Sequence, residues 1–574
     1  MNGNPPFIPP HVGVLSSLDS FRPFTGAEAK VVAYLSSGNF DRLGDGLLPE
    51  LEDDTRNMRA ELLRFLILGD NSYRSHEKGV RVSGAWITGI LDLEGCRIPR
   101  DIGLKDCRFE ASPVLQSAII DNLFLDGSHL PGLQADRLEA RGCISVRGAI
   151  VTGEIRISGA RIGGSFEADG VSIASPEGIA IEASGLEARG GILMRGADIK
   201  GGLNLSGVRL GGDVNAVGGQ ITRPGEIALN GDGIVAGGDL ALRGAKIMGE
   251  TRLLGARFVG DIDCTGAALS QPGGHALRLN RATVEGAFFL RQGAAINGTL
   301  DLTATTIGAI DDAQESWPKT GDLLLNRCQY GAFIGGPVDA VNRLDWLSRQ
   351  SPDRWRADFW PQPYEQLAMV LGAMGHDEDA RAVLIEKERL QRRARRARAR
   401  NPALRIALAI TDGILAITVR YGRQPLLALI WLVMFWAIGA VVFDIAEGQG
   451  AVKPNSPVVL RSTEWTMCGL DQSSNRYMPS SSQVLAGRAM AGENQLTCFL
   501  RQPEASSYPE FNAPMYSLDV LLPVLSIEQK EFWRPDPTKP KGAFTLNYFF
   551  FQSIVGWALS LLAVAGFSGL VKSK

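Results

Sequence analysis

The residues with the most obvious chemical potential are six arginines packed into nine positions. Arg392, Arg393, Arg395, Arg396, Arg398 and Arg400 end a helical pattern. A guanidinium run of this density binds phosphate, which either a nucleic acid or an anionic lipid could supply. The residues that follow favour lipid. Positions 401–424 are amphipathic, with Arg405, Asp412, Arg420 and Arg423 limiting the segment to an interface. Positions 425–443 then carry no charge. At 1.5 Å per residue that stretch reaches roughly 28 Å, enough to cross a hydrocarbon core. A basic cluster just before such a span marks the cytoplasmic side. The expected partner is a membrane, and nucleic-acid binding is not expected.

A second span is predicted over 549–571, followed by Lys572 and Lys574. Two crossings leave both termini in the cytoplasm and 444–548 outside. Cys468 and Cys498 are the only cysteines of that outer segment, so a disulfide between them is expected. The other five cysteines are expected as small core residues. Within the outer segment, Phe511 to Val524 is apolar but too short to span. A span, a half-helix and a second span is the layout of two-helix potassium-type channels, with Tyr516 and Ser517 opening the half-helix. Leu522 and Val524 fall where a selectivity filter would lie, yet without its glycines, so selective potassium conduction is not expected. The alternative is an interfacial helix on the outer leaflet. Gly556 with Ser560, and Ala565 with Gly569, give the small-xxx-small spacing of close helix association, hence an expected homo-oligomer.

Enzymatic machinery is hard to find. Gly231-Asp232-Gly233-Ile234-Val235-Ala236-Gly237 has one residue too many for a dinucleotide turn. The chain has no Gly-x-Ser-x-Gly, no His-Glu-x-x-His and no phosphate loop. His275 and His376 stand alone, and Asp92, Glu154, Asp213, Asp261 and Asp301 are expected on a solvated face. Without a Cys-x-x-Cys pair, a structural zinc site is not expected. No catalytic, cofactor-binding or metal-ligating residue is assigned. A net charge of −3 argues for no long-range field, and the N-terminus lacks the pattern of a cleavable leader.

The elements behind these residues are dominated by a repeat. Arg-Gly-Ala recurs at Arg147, Arg195 and Arg243, each 48 residues on, and Pro176, Pro224 and Pro272 keep the same interval. Between them run short alternating segments such as Gly202-Leu203-Asn204-Leu205, bounded by Gly-Ala pairs eleven residues apart (Gly148 and Gly159, Gly244 and Gly255). Strands this short cannot build a sandwich or the blades of a propeller, but they can coil and stack so that each pairs with its copy above and below. The fold class expected is mainly β: a right-handed parallel β-helix over 79–336, two turns per repeat plus a proline-glycine loop. A helix over Thr55–Leu68, within an N-terminal region 1–78, would cap one end. A helix over 338–350 would close the other. Residues 337–400 include a tetratricopeptide-like hairpin ending in the arginine run.

The Gly-Ala-x-Ile-x-Gly-x-Leu rhythm resembles pentapeptide-repeat solenoids. The chain from about Thr55 onward is similar to a group of uncharacterised bacterial membrane proteins with such a solenoid and C-terminal transmembrane helices. Some of these are automatically named membrane-associated oxidoreductase. The resemblance implies a bacterial inner membrane. The expectation is a binding or assembly scaffold with an unknown protein partner on the solenoid. A gated pore and an oxidoreductase, the latter on the family name alone, are the alternatives.

Overall fold

The computed structural model describes residues 17–34, 37–69, 76–351, 359–470, 488–490 and 492–567. The chain forms two compact units, 1–394 and 395–574.

The first unit is a parallel β-solenoid of about 12 turns. Its regular turns alternate in length. Glu139 pairs with Arg161, 22 residues on, and Arg161 with Glu187, 26 residues on; the pattern repeats through Arg209, Val235 and Arg257. One short and one long turn make the 48-residue period. The four extra residues lie in the proline loops of strands Ser172–Glu182, Gln220–Asn230 and Ala268–Arg278, each with a register shift. The Gly-Ala steps are corners. Gly148 and Gly159 adopt φ of 62°, where a side chain is strained, and Ala149 and Ala160 behind them are fully buried. Inward Ile155 and Ile157 alternate with outward residues, so the core runs unbroken along the axis.

The solenoid begins earlier than 79. Asp41–Arg42 pairs with Val82–Ser83, and Asn57–Arg59 pairs with Trp86–Thr88. Strands this short leave no period to detect. Because 57–59 is strand, helix α2 (Ala60–Leu68) starts five residues later than expected, and Gly69 closes it; helix α1 (Gly26–Tyr34) precedes it. Leu62, Leu63, Leu66 and Ile67 of α2 are buried in the solenoid core. Such a lid covers strand edges that would otherwise pair with another chain.

The far end is closed by helices α3 (Ala340–Ser348) and α4 (Gln362–Ala373). Gln362 Nε2 donates to the Cys328 carbonyl (3.0 Å) and Gln366 Nε2 to the Tyr330 carbonyl (2.8 Å), so two side-chain amides satisfy the last open edge. Residues 311–318, a polar stretch in sequence, form part of the closure. Asp312 is buried and takes both guanidinium nitrogens of fully buried Arg343 (2.8 and 2.7 Å). Trp317 Nε1 donates to the same carboxylate (2.7 Å), and Arg343 stacks 3.6 Å from the Phe333 ring centre. Helix α5 (Asp377–Arg398) completes the hairpin, turning at Gly375 with φ of 87°.

Among its described residues the second unit holds three helices long and apolar enough to cross a membrane. These are α6 (Pro402–Val419), α7 (Leu426–Gly448) and α9 (Gly542–Phe567), with the short α8 (Ala513–Leu521) between the last two. Two spans were expected. The segment expected at the interface is also apolar enough to count, and α9 starts seven residues before position 549. Residues between α7 and α9 build a small head around Trp465, Phe499, Tyr508 and Trp533, with Val452–Pro454 paired antiparallel to Trp533–Pro535.

Candidate functional site

Outward residues of successive solenoid turns line up in columns, because parallel register places each residue beside its counterpart one turn on. One column reads Ile119, Glu139, Arg161, Glu187, Arg209, Val235. Beside it lie Arg141, Gly163, Arg189 and Gly211. Together they line an open groove of about 970 Å³. Arg161 stands between two carboxylates, 3.5 Å from Glu139 and 3.6 Å from Glu187. Arg189 and Arg209 are exposed and form no ion pair among the described residues. Glycine at 163 and 211 is enforced by the tight winding: a Cβ there would fall inside the carbonyl of Arg141 or Arg189 one turn back. The groove was not anticipated, although the 22- and 26-residue steps, once known, find its columns in the sequence.

Of the carboxylates expected on a solvated face, Asp92 and Asp213 are exposed and Glu154 is half-buried, while Asp213 and Asp261 also tie successive turns together. Asp213 accepts the backbone N–H of Asp239 (2.9 Å), Asp239 that of Asp261 (2.8 Å), and Asp261 that of Ala287 (2.7 Å). Asp301 is buried rather than exposed, with His275 and Arg278 each 3.9 Å away, so His275 is not isolated either. His376 is 3.8 Å from Asp379. Cys107, Cys264 and Cys328 are buried, and burial pushes each thiol up to about 12, which leaves them unreactive. Among the described residues no three of His, Cys, Asp and Glu converge to hold a metal ion.

The arginine run divides. Arg393, Arg395, Arg398 and Arg400 are exposed. Arg392 lies 3.7 Å from Glu388 within α5, and Arg396 lies 3.6 Å from Asp412, which is buried midway along α6. Ile406, Ile410, Ile414 and Ile417 form an exposed apolar stripe on α6. Its C-terminal residues Leu415 and Val419 pack with Ala428 and Ala563.

Tyr516 and Ser517 sit on α8, which is wedged between α7 and α9. Ser517 Oγ donates to the Trp436 carbonyl (2.8 Å), and buried Gln552 Nε2 donates to Ser517 Oγ (2.8 Å) and its carbonyl (3.2 Å). Trp436 Nε1 donates to the Pro514 carbonyl (3.0 Å). Tyr516 packs among Phe443, Phe511 and Phe549. Two glycines make room: a Cβ on Gly439 would strike Ser517 and Gln552, and one on Gly556 would fall inside the Leu521 carbonyl. Gly556 thus receives α8 of its own chain, where the spacing with Ser560 had suggested a neighbouring helix. Ala565 ends the described part of that face, and Gly569 lies outside the described residues. After α8 the chain turns through half-buried Leu522 and fully displayed Val524 (91% exposed), and buried Asp519 clamps its return by accepting the N–H of Ile527 (3.1 Å) and Lys530 (2.9 Å). In the head, a disulfide joins Cys468 to Cys498.

No protein-family profile, curated protein or solved structure matches this chain.

Proposed function

We propose that this protein is a membrane-anchored scaffold whose solenoid is a rigid docking surface on the cytoplasmic face of a bacterial inner membrane. The observation that carries the reading is the groove. Backbone pairing and buried apolar residues fix its columns, and it displays the exposed Arg189 and Arg209, which form no ion pair among the described residues. A surface preorganised in this way loses little entropy when a partner binds.

For the anchor, the reading takes α7 and α9 as spans and α6 as interfacial. The Arg396–Asp412 pair supports this assignment. It holds residues 395–398 beside the middle of α6, and burying α6 in hydrocarbon would carry Arg395 and Arg398 with it at high cost. The exposed isoleucine stripe would face lipid while these guanidinium groups meet phosphates. The disulfide supports an oxidising compartment for the head, opposite the solenoid.

The test is cross-linking mass spectrometry in intact cells, comparing the native chain with R189S/R209S. Loss of cross-links between residues 119–235 and other polypeptides, with membrane content unchanged, is expected. An unchanged cross-link map would refute the docking role. One observation favours a second reading, a gated pore: α8 is inserted between two apolar helices, with Val524 displayed at its turn. Liposome ion flux that changes when Leu522 and Val524 are replaced by Asp would support it, and absence of flux would remove it.

A further inference from the structure

The groove has a property that its column order makes visible. Read in either direction, its main column runs apolar, charged, charged, charged, charged, apolar, and reversal exchanges every sign: Ile119, Glu139, Arg161, Glu187, Arg209, Val235. Laid against a reversed copy of itself, Ile119 meets Val235, Glu139 meets Arg209, and Arg161 meets Glu187. The adjoining column obeys the same operation in shape. Reversal sets Arg141 against Gly211 and Arg189 against Gly163, so each protruding guanidinium faces a position with no side chain. The symmetry ends where the apolar pair ends. One turn beyond on each side lie Arg97 and Arg257, a like-charged pair.

We propose that the partner docking in this groove is a second copy of this chain, packed antiparallel about a two-fold axis that passes between the rungs of Arg161 and Glu187. A two-fold interface requires a self-complementary patch, which a column of arbitrary charges does not provide. The operation runs along the strand direction, so each column faces itself and both complementarities are satisfied together. In the monomer Arg161 is shared between two carboxylates while Arg209 has none among the described residues; pairing gives Arg209 the partner's Glu139. Six rungs at about 4.8 Å extend roughly 24 Å. A strip of that length and about 15 Å wide covers roughly 360 Å², less than half of the roughly 800 Å² per partner of a stable soluble interface. Pairing therefore depends on the membrane anchor, which confines copies to one plane and raises their effective concentration.

The inference rests on the docking-surface reading, and the experiment separates the two. Differently tagged full-length chains carrying E139C and R209C, in a background with Cys96 and Cys143 changed to Ser, are co-expressed, and membranes are treated with a short thiol cross-linker. A mixed dimer is expected, with no dimer when either variant is expressed alone, because within one copy and between like positions these sites lie three rungs apart. In a second arm, E139R lowers native dimer cross-linking roughly tenfold, since the two-fold doubles the introduced repulsion, and E139R/R209E restores it. Three results would overturn the proposal. Adducts of E139C and R209C with other polypeptides but not with each other would leave a docking surface for a different partner. Stronger capture of a polyanion by E139R would identify an acidic ligand instead. No adduct at either site would remove both readings.

Discussion

Replacing Arg343 by alanine should unfasten the C-terminal end of the solenoid and leave its middle intact. Arg343 is fully buried and donates two hydrogen bonds to buried Asp312, a third to the Pro337 carbonyl (2.6 Å), and stacks on Phe333. Truncation strands the Asp312 carboxylate, which keeps only the Trp317 indole N–H among the described residues. Breaking a buried pair from one side costs about 3–5 kcal/mol. In a stacked coil each turn touches only its neighbours, so this loss stays at the end where it is made. Hydrogen exchange on the full chain in detergent reads it directly. Amides of 329–350 should lose roughly a hundred- to a few thousandfold of protection, at about 1.4 kcal/mol per tenfold, while those of 139–260 keep theirs. R343L/D312L, which removes both charges and fills the space with carbon, should recover most of the protection. Equal protection in R343A and the native chain, or a loss spread evenly along the solenoid, would refute the reasoning.

Other consequences can be measured alongside. Helix propensity alone makes G556A stabilising by about 1 kcal/mol, but the close Leu521 carbonyl reverses the sign. Exchange at 513–521 should therefore accelerate in G556A by roughly five- to a hundredfold, as for overpacking of about 1–3 kcal/mol. Burial raises the Asp41 carboxyl from 3.8 to about 6, against an opposing pull from Lys30. The folded N-terminal cap therefore holds a proton that the unfolded chain releases between those values. Stability contributed there is present below about 4 and lost as pH rises through about 6. D41N should protect residues 41–69 at pH 7.5 relative to the native chain and give no gain at pH 3.5, as monitored by pH-dependent exchange.

How far the sequence discloses all this depends on whether the responsible contacts repeat. The solenoid was legible because Arg147, Arg195 and Arg243 report one geometry three times, and corner glycines such as Gly148 punctuate it. Its first coil was not legible: Asp41–Arg42 and Asn57–Arg59 are strands only because Val82 and Trp86 lie beside them. Arg343 and Asp312 are 31 residues apart and occur once, so no periodicity announces them. Gly556 shows the limit of a local motif. Its small size was correctly noted, but the spacing to Ser560 could not say that the visitor is α8 rather than another subunit. Asp301 was expected in solvent because it alternates with apolar residues, yet the neighbouring turn covers it.

The scaffold reading depends above all on the solenoid and the disulfide-bearing head lying on opposite sides of the membrane, with α6 at the interface. Cys264 cannot report this, being fully buried, so V259C on the half-exposed outer face of the solenoid and S506C in the head serve instead. Labelling of intact cells with a membrane-impermeant maleimide should modify S506C and leave V259C untouched until the membrane is opened. Modification of both from outside would make α6 a third span and contradict the account.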